Sequence, residues 1–259
     1  MKVALVQISP ALMNWEKTKQ NLQPALHRVG LQKPALAVLP ELASTGYHIP
    51  SRKKLQDIAE PGDGTGPYLQ WIQKQCQTYS MDIVTGFAES SSGNFYNSAA
   101  LVGPEGVLGV YRKLHLFLNE KGLFTPGSKE TSIIERHGAR LAMMICYDWA
   151  FPEVWRKAAL QGADVILHCS NLVLPFAQRA VIGHALCNRI AILTANRVGD
   201  EGGLTFTGQS QAVDAFGNLL VQGPTGSPWE SVFDLDPMQS RDKSVTAKND
   251  LFADRRTDL

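Results

Sequence analysis

Cysteine is scarce in this chain: four among 259 residues, with no two in a C-x-x-C spacing. That argues against a disulfide framework and makes a reducing, cytoplasmic setting the expectation. Long apolar runs are missing as well. Ala35–Leu39 and Leu141–Ile145 fall far short of the roughly 18 to 20 residues that span a bilayer, so no membrane partner is expected. The first apolar run is interrupted by Gln7 and Pro10, and no small-residue cleavage site follows, so no secretory signal is expected. Neither sign of charge dominates. Lys and Arg number 25 against 24 Asp and Glu, a net +1, which argues against a nucleic-acid partner. Linkers, low-complexity tracts and short repeats are absent too. Residues 1–259 therefore read as a single domain, with the polar stretch 237–259 as a C-terminal arm.

What is present is ordinary globular composition, 44% hydrophobic and 19% charged. Short aliphatic runs read as buried strands: Val3–Ile8, Leu36–Leu39, Ile83–Phe87, Ala99–Val102, Leu141–Ile145, Val165–Leu167 and Ile190–Ala195. Helical patterns lie between some of them. One runs from an Asn14 cap to about Val29, with Pro24 expected to kink or shorten it. Others cover Tyr68–Tyr79, Pro152–Leu160 and Phe176–Arg189. Hairpin signals stand at Gly103–Gly106, His137-Gly138 and Asp214–Asn218. Helices alternating with strands and hairpins point to an α/β protein, with mixed sheets covered by helices.

Three stretches could carry chemistry. In Leu141-Ala-Met-Met-Ile-Cys146-Tyr-Asp-Trp-Ala-Phe-Pro152, a buried strand ends at Cys146 and a helix starts about six residues later. Such an elbow lifts a nucleophile out of a sheet. A cysteine taken alone is more often structural, as Cys76 on an apolar helix face and Cys169 beside a strand illustrate. Glu41 directly follows a buried run, where desolvation would raise its pKa toward that of a general base. Lys113, in Tyr111-Arg-Lys-Leu-His115-Leu-Phe117, could supply a fixed positive charge to an oxyanion; by itself it reads sooner as a solvated strand edge.

Taken together, the three stretches resemble the carbon–nitrogen hydrolase family, the nitrilase superfamily, and the resemblance covers nearly the whole chain. It implies a four-layer α-β-β-α sandwich, usually dimerised through one helical face, so a homodimer or higher even oligomer is expected. It also implies catalytic roles for Glu41, Lys113 and Cys146, and for a fourth acidic residue, Glu120, in Asn119-Glu-Lys-Gly-Leu-Phe-Thr-Pro-Gly127. Glu41 would take the Cys146 proton as sulfur attacks a carbonyl or nitrile carbon. Lys113 and the Tyr147 backbone N–H would hold the oxyanion, and water positioned by Glu120 would release the acid from a thioester. Tyr47 and Asn171 would line the substrate pocket. No metal and no organic cofactor are implied.

Cys146-Tyr-Asp148 is more similar to amidase branches than to true nitrilases, which often carry Cys-Trp-Glu. A small amide is therefore the expected substrate; N-carbamoyl compounds and nitriles would use the same residues. Cys187 in Ala185-Leu-Cys-Asn188 departs from a Glu common in the family. A non-enzymatic scaffold would have lost one of the catalytic residues, and this chain keeps all of them. Other motifs carry less. Gly208-Gln-Ser210-Gln-Ala212 lacks the final Gly of a serine-hydrolase elbow, Glu60–Gly66 lacks the Lys-Ser/Thr of a phosphate loop, and His184 with Cys187 is at most half a metal site.

Overall fold

In the computed structural model, which describes residues 1–129, 131–256 and 258, the aliphatic runs become the middles of two sheets. The strands are β1 (Lys2–Gln7), β2 (Leu36–Val38), β3 (Asp82–Ser91), β4 (Asn94–Gly103), β5 (Gly106–Arg112), β6 (Ile134–Arg136), β7 (Ala139–Ile145), β8 (Val165–Ser170), β9 (Ala191–Asn196), β10 (Val198–Glu201), β11 (Leu204–Thr207), β12 (Gln211–Val213), β13 (Leu219–Gln222) and β14 (Trp229–Asp234). The helices are α1 (Trp15–Gly30), α2 (Arg52–Gln56), α3 (Pro67–Tyr79), α4 (Glu120–Leu123), α5 (Pro152–Leu160) and α6 (Ala177–Asn188).

The first sheet runs β14-β1-β2-β3-β4-β5 and the second β13-β12-β9-β8-β7-β6. Each has three parallel strands at its centre, β1-β2-β3 in one and β7-β8-β9 in the other, flanked by antiparallel neighbours. Strands buried on both faces explain the continuous apolar runs. Val3 and Leu5 of β1 pack against the opposing sheet, while Ala4 and Val6 pack under α1 and α3. In β7, Leu141, Met143 and Ile145 face inward; Ala142 and Met144 meet Trp155 and Val181 of α5 and α6. The layers are thus helix, sheet, sheet, helix, the sandwich expected from the sequence.

Two local outcomes differ from the sequence reading. Helix α1 is capped by the Asn14 side chain, as expected, but it runs on through Pro24. Gln23 and Pro24 lie on its exposed face, where water can serve the carbonyl that proline leaves without a donor. Strands β10, β11, β13 and β14 gave no clear apolar run, because they are short or half-exposed. The segment after Asp236 is fastened along the outer side of the second sheet. Arg241 pairs with Asp164 at 2.8 Å, and Lys243 Nζ donates to the Asn188 and Arg189 carbonyls at the end of α6. Among the described residues, no helix is long and apolar enough to cross a membrane.

Candidate active site

The carboxyl ends of the parallel strands gather the polar residues, as open α/β sheets generally do. Glu41 lies three residues past β2, on a segment strapped to β3: the Gly86 N–H donates to Pro40 O at 3.0 Å and the Ala43 N–H to Gly86 O at 2.9 Å. Position 86 must be glycine for this approach, since a Cβ there would lie 2.5 Å from Glu41 Cα. Lys113 immediately follows β5. Its N–H donates to Asn97 O and its C=O accepts from the Gly127 N–H, both at 2.8 Å. Lys113 is fully buried, so the solvated-edge alternative is set aside.

Cys146 follows β7 with φ of +40°, a left-handed backbone that costs a non-glycine residue of order 1 kcal/mol or more. A single 3₁₀ turn, Cys146–Ala150, then leads to Pro152 and α5. Buried Asp148 fixes this elbow. Its carboxylate accepts from the Ile145 N–H (3.1 Å), the Tyr111 hydroxyl (2.7 Å), the His115 N–H (3.2 Å) and the His115 ring Nδ1 (2.8 Å). Its carbonyl accepts from Trp155 Nε1 at 2.9 Å. From the other side, His168 Nε2 lies 3.1 Å from the Cys146 carbonyl oxygen.

Three charges meet beside the sulfur. Lys113 Nζ donates to Glu41 Oε1 at 2.6 Å and to Glu120 Oε1 at 2.8 Å. Asn97 Nδ2 donates to Glu41 Oε1 at 2.7 Å and reaches Glu120 Oε2 at 3.5 Å. The Tyr47 hydroxyl donates to Glu120 Oε1 at 2.7 Å. Glu41 Oε2 is buried without a partner. Burial raises the Glu41 pKa; Lys113 opposes the rise and Glu120 adds to it. Burial works against the Lys113 charge, but Glu120 and Glu41 outweigh it and hold the ammonium protonated. The Cys146 thiol is pushed well above its ordinary value, first by burial and then by Glu41, against Lys113 and the Asn171 backbone N–H. The resting sulfur is therefore a thiol, in keeping with a nucleophile that gives up its proton as it attacks.

Cys146, Asn171, Tyr147, Phe117 and Trp149 line a narrow opening with about 10 Å³ free. The Tyr147 ring meets Phe117 at 4.9 Å and Phe151 at 5.3 Å. Both polar atoms of the Asn171 side chain are buried without partners. The structure thus brings Glu41, Lys113, Cys146, Glu120, Tyr47, Tyr147 and Asn171 to one place. Sequence reasoning missed Asn97 and the bracing role of Asp148. Asn97 stands at the foot of an apolar run, as a polar residue two positions before Ala99–Val102, which was the one available signal.

The motifs set aside have structural work. Glu60 accepts from the Tyr68 and Leu69 N–H groups at the start of α3 (2.9 and 2.8 Å), in a roomier cleft of about 290 Å³ outside the sheet. His184 stacks on Trp155 and bonds the Trp149 carbonyl at 2.8 Å, while Cys187 is exposed. Among the described residues, no three His, Cys, Asp or Glu side chains cluster as a metal site.

Comparison with known proteins extends the geometry. The profile described as carbon–nitrogen hydrolase matches residues 2–240. A nitrilase of Pyrococcus abyssi is 38% identical over 258 residues, 99% of this chain and 97% of that one. An (R)-stereoselective amidase of a Pseudomonas species is 34% identical, over 99% of this chain and 92% of its own length. Among solved structures, an amidase from a Nesterenkonia species superimposes with a TM-score of 0.81 at 25% identity, covering 93% of this chain and 92% of that one.

Proposed function

The chain belongs to the carbon–nitrogen hydrolase family, and from that premise we propose that it is an amidase that hydrolyses small amides to acid and ammonia through a thioester on Cys146. The observation that carries the reading is the unpartnered Glu41 Oε2 beside a buried thiol that holds its proton. A base with one free oxygen and a nucleophile still carrying its proton are the two halves of one transfer.

Glu41 Oε2 accepts the thiol proton as sulfur bonds to the amide carbon. The carbonyl π electrons move to oxygen, which Lys113 and the Tyr147 N–H stabilise. Collapse breaks the C–N bond, and the proton on Glu41 leaves with the amine as ammonia. Water, oriented by Glu120, then gives a proton to Glu41 and attacks the thioester. The C–S bond breaks, and Glu41 returns the proton to sulfur. Asn171, whose side-chain amide lacks protein partners, holds the substrate amide, and the aromatic opening favours short acyl groups. No metal or organic cofactor enters these steps.

We read the chain as one catalytic domain, with residues 237–259 an arm over the outer helices; residues 257 and 259 lie outside the described residues. Exposed Leu160, Phe176 and Leu186 on or beside α5 and α6 support a homodimer through that face, and four unpaired cysteines support a cytoplasmic setting. The test is ammonia release from short aliphatic, aromatic and ω-amides, N-carbamoyl amino acids and nitriles, with Cys146→Ala as control. Cys146-dependent turnover of amides is the expected result. Turnover confined to carbamoyl compounds or nitriles would replace the substrate class. Ammonia release that survives Cys146→Ala would refute the mechanism.

A further inference from the structure

Outside the cluster around Cys146, one buried ion pair lies against the pocket wall. Arg197 and Glu201 are both buried and paired at 2.9 Å, bracketing the short strand β10. Solvent-shielded pairs are costly to assemble, and they persist where both charges are well bonded. Glu201 is well bonded, to the segment that carries Tyr47. The same oxygen, Oε2, accepts from the Tyr47 N–H at 2.6 Å, the His48 N–H at 3.0 Å and Arg197 Nη1 at 2.9 Å. Position 46 is built for this approach. Gly46 has φ of +75°, and a Cβ there would stand 2.7 Å from Glu201 Oε1. Phe206 of β11 completes the clamp, with the Arg197 guanidinium 4.1 Å from its ring centre and the Tyr47 ring edge-on at 5.8 Å.

The same hairpin grips the opposite wall. The Thr207 N–H donates to Leu172 O at 2.9 Å, and Asn196 Oδ1, just before β10, accepts from the Leu172 N–H at 2.8 Å. Leu172 follows Asn171 and lines the opening with it. One two-stranded element thus holds the Tyr47 segment and the Asn171 segment to a common spacing.

We infer that Glu201, held by Arg197, is a positioning residue for the reaction: by fixing the Tyr47 backbone it sets the Tyr47 hydroxyl against Glu120 and so holds Glu120 and Lys113 in register with Cys146. The inference rests on the amidase reading, and it assigns a task to a hairpin that is hydrogen-bonded to the Tyr47 and Leu172 segments. Glu201 acts through Tyr47, so its loss and the loss of the Tyr47 hydroxyl remove the same arrangement.

A double-mutant cycle tests this. Glu201→Gln keeps an acceptor but drops the charge; Glu201→Asp keeps the charge one methylene short of the two N–H groups, and serves if the Gln variant fails to fold. Each is made alone and with Tyr47→Phe. Two quantities are read at several pH values: kcat/KM on the best amide, and the rate at which acrylamide alkylates Cys146, which does not depend on the choice of substrate. Each single variant is expected to lose about 10-fold in kcat/KM, the worth of one hydrogen bond to a charged group. The double variant should lose little beyond the worse single one, and the two singles should shift the pH profile of alkylation alike. A merely structural Glu201 would lower the melting temperature while its loss multiplied with that of Tyr47→Phe, to about 100-fold, and that result would overturn the inference. Cys146-independent ammonia release would instead overturn the reaction on which it rests.

Discussion

Replacing Asn97 by leucine isolates one hydrogen bond on the proposed base. Glu41 Oε1 has two donors, Lys113 Nζ at 2.6 Å and Asn97 Nδ2 at 2.7 Å, and Oε2 has none. Leucine repeats the branched heavy-atom skeleton of asparagine without its polar atoms and keeps the backbone carbonyl that accepts from the Lys113 N–H, so Lys113 stays anchored. Burial already raises the Glu41 pKa; Lys113 and Asn97 favour its charged form and Glu120 disfavours it. Tyr47, Cys146 and Arg197 also sense its charge and are unchanged by the substitution. A hydrogen bond to a charged group is worth about 1.5–3 kcal/mol. At about 1.36 kcal/mol per pH unit, its loss raises the Glu41 pKa by a further one to two units or so. The base is active when ionised, so activity falls as pH drops through that pKa. The acidic limb of kcat/KM in Asn97→Leu should therefore move to higher pH by that amount, while the alkaline limb stays. The assay is kcat/KM against pH on one amide, with acrylamide alkylation of Cys146 followed in parallel. An acidic limb that coincides with that of the unaltered enzyme would refute either the bond's role or Glu41 as the base.

Lys113→Arg should lower turnover about 100- to 1000-fold, because a planar guanidinium cannot take the place of a compact ammonium between two buried carboxylates; steady-state kinetics on one amide decide it, and near-normal activity would remove Lys113 from the mechanism. Glu120→Gln removes a negative charge that raises the pKa values of both Cys146 and Glu41. Alkylation of Cys146 at neutral pH should then speed up while amide hydrolysis slows; parallel changes in the two rates would contradict the assignment. His168 is fully buried, and burial lowers its pKa from 6.5 to about 4. The unfolded chain takes up that proton first, so stability present above pH 6.5 is lost as pH falls toward 4, by about 3 kcal/mol in all. Urea unfolding of His168→Gln should show a flatter pH dependence across that window, and an unchanged slope would disprove it.

The residues legible in the sequence are those whose role is set by local position. Cys146 and Glu41 follow buried runs directly, so a strand end could be inferred for each without knowledge of their neighbours. Lys113 was ambiguous, because the residues around it carry charge; only the three-dimensional approach of the Glu41 and Glu120 segments makes position 113 buried. Asn97 was beyond reach for a related reason. Its value comes from register, Ala88 opposite Asn97 in the β3–β4 pair, and from the return of two distant carboxylates to one spot. Pro24 does not shorten α1, because a proline on the exposed face of a helix leaves an acceptor that water can satisfy. Strand β14 pairs with β1 over 200 residues away in sequence, and its half-exposed alternation resembles that of a loop.

The charge arrangement also explains why a buried ion cluster suits this reaction. Removing carboxylates and an ammonium from water costs several kcal/mol per ion, which their mutual attraction at best repays, so the cluster is a poor device for stability alone. Under the proposed mechanism, its merit is that net charge does not change. At rest, Glu41 and Glu120 are negative, Lys113 is positive and the thiol is neutral, which leaves one negative charge. When the thiol proton moves to Glu41 and sulfur bonds to carbon, Glu41 becomes neutral and the carbonyl oxygen takes up its charge. Lys113, shared at rest between two carboxylates at 2.6 and 2.8 Å, loses one competitor at the moment an oxyanion needs it. One charge has moved across the pocket without water having to reorganise around it, the condition under which fixed charges in a dry site lower a barrier most. The raised thiol pKa is then no handicap: it keeps the second negative charge from forming before a carbonyl is there to receive it.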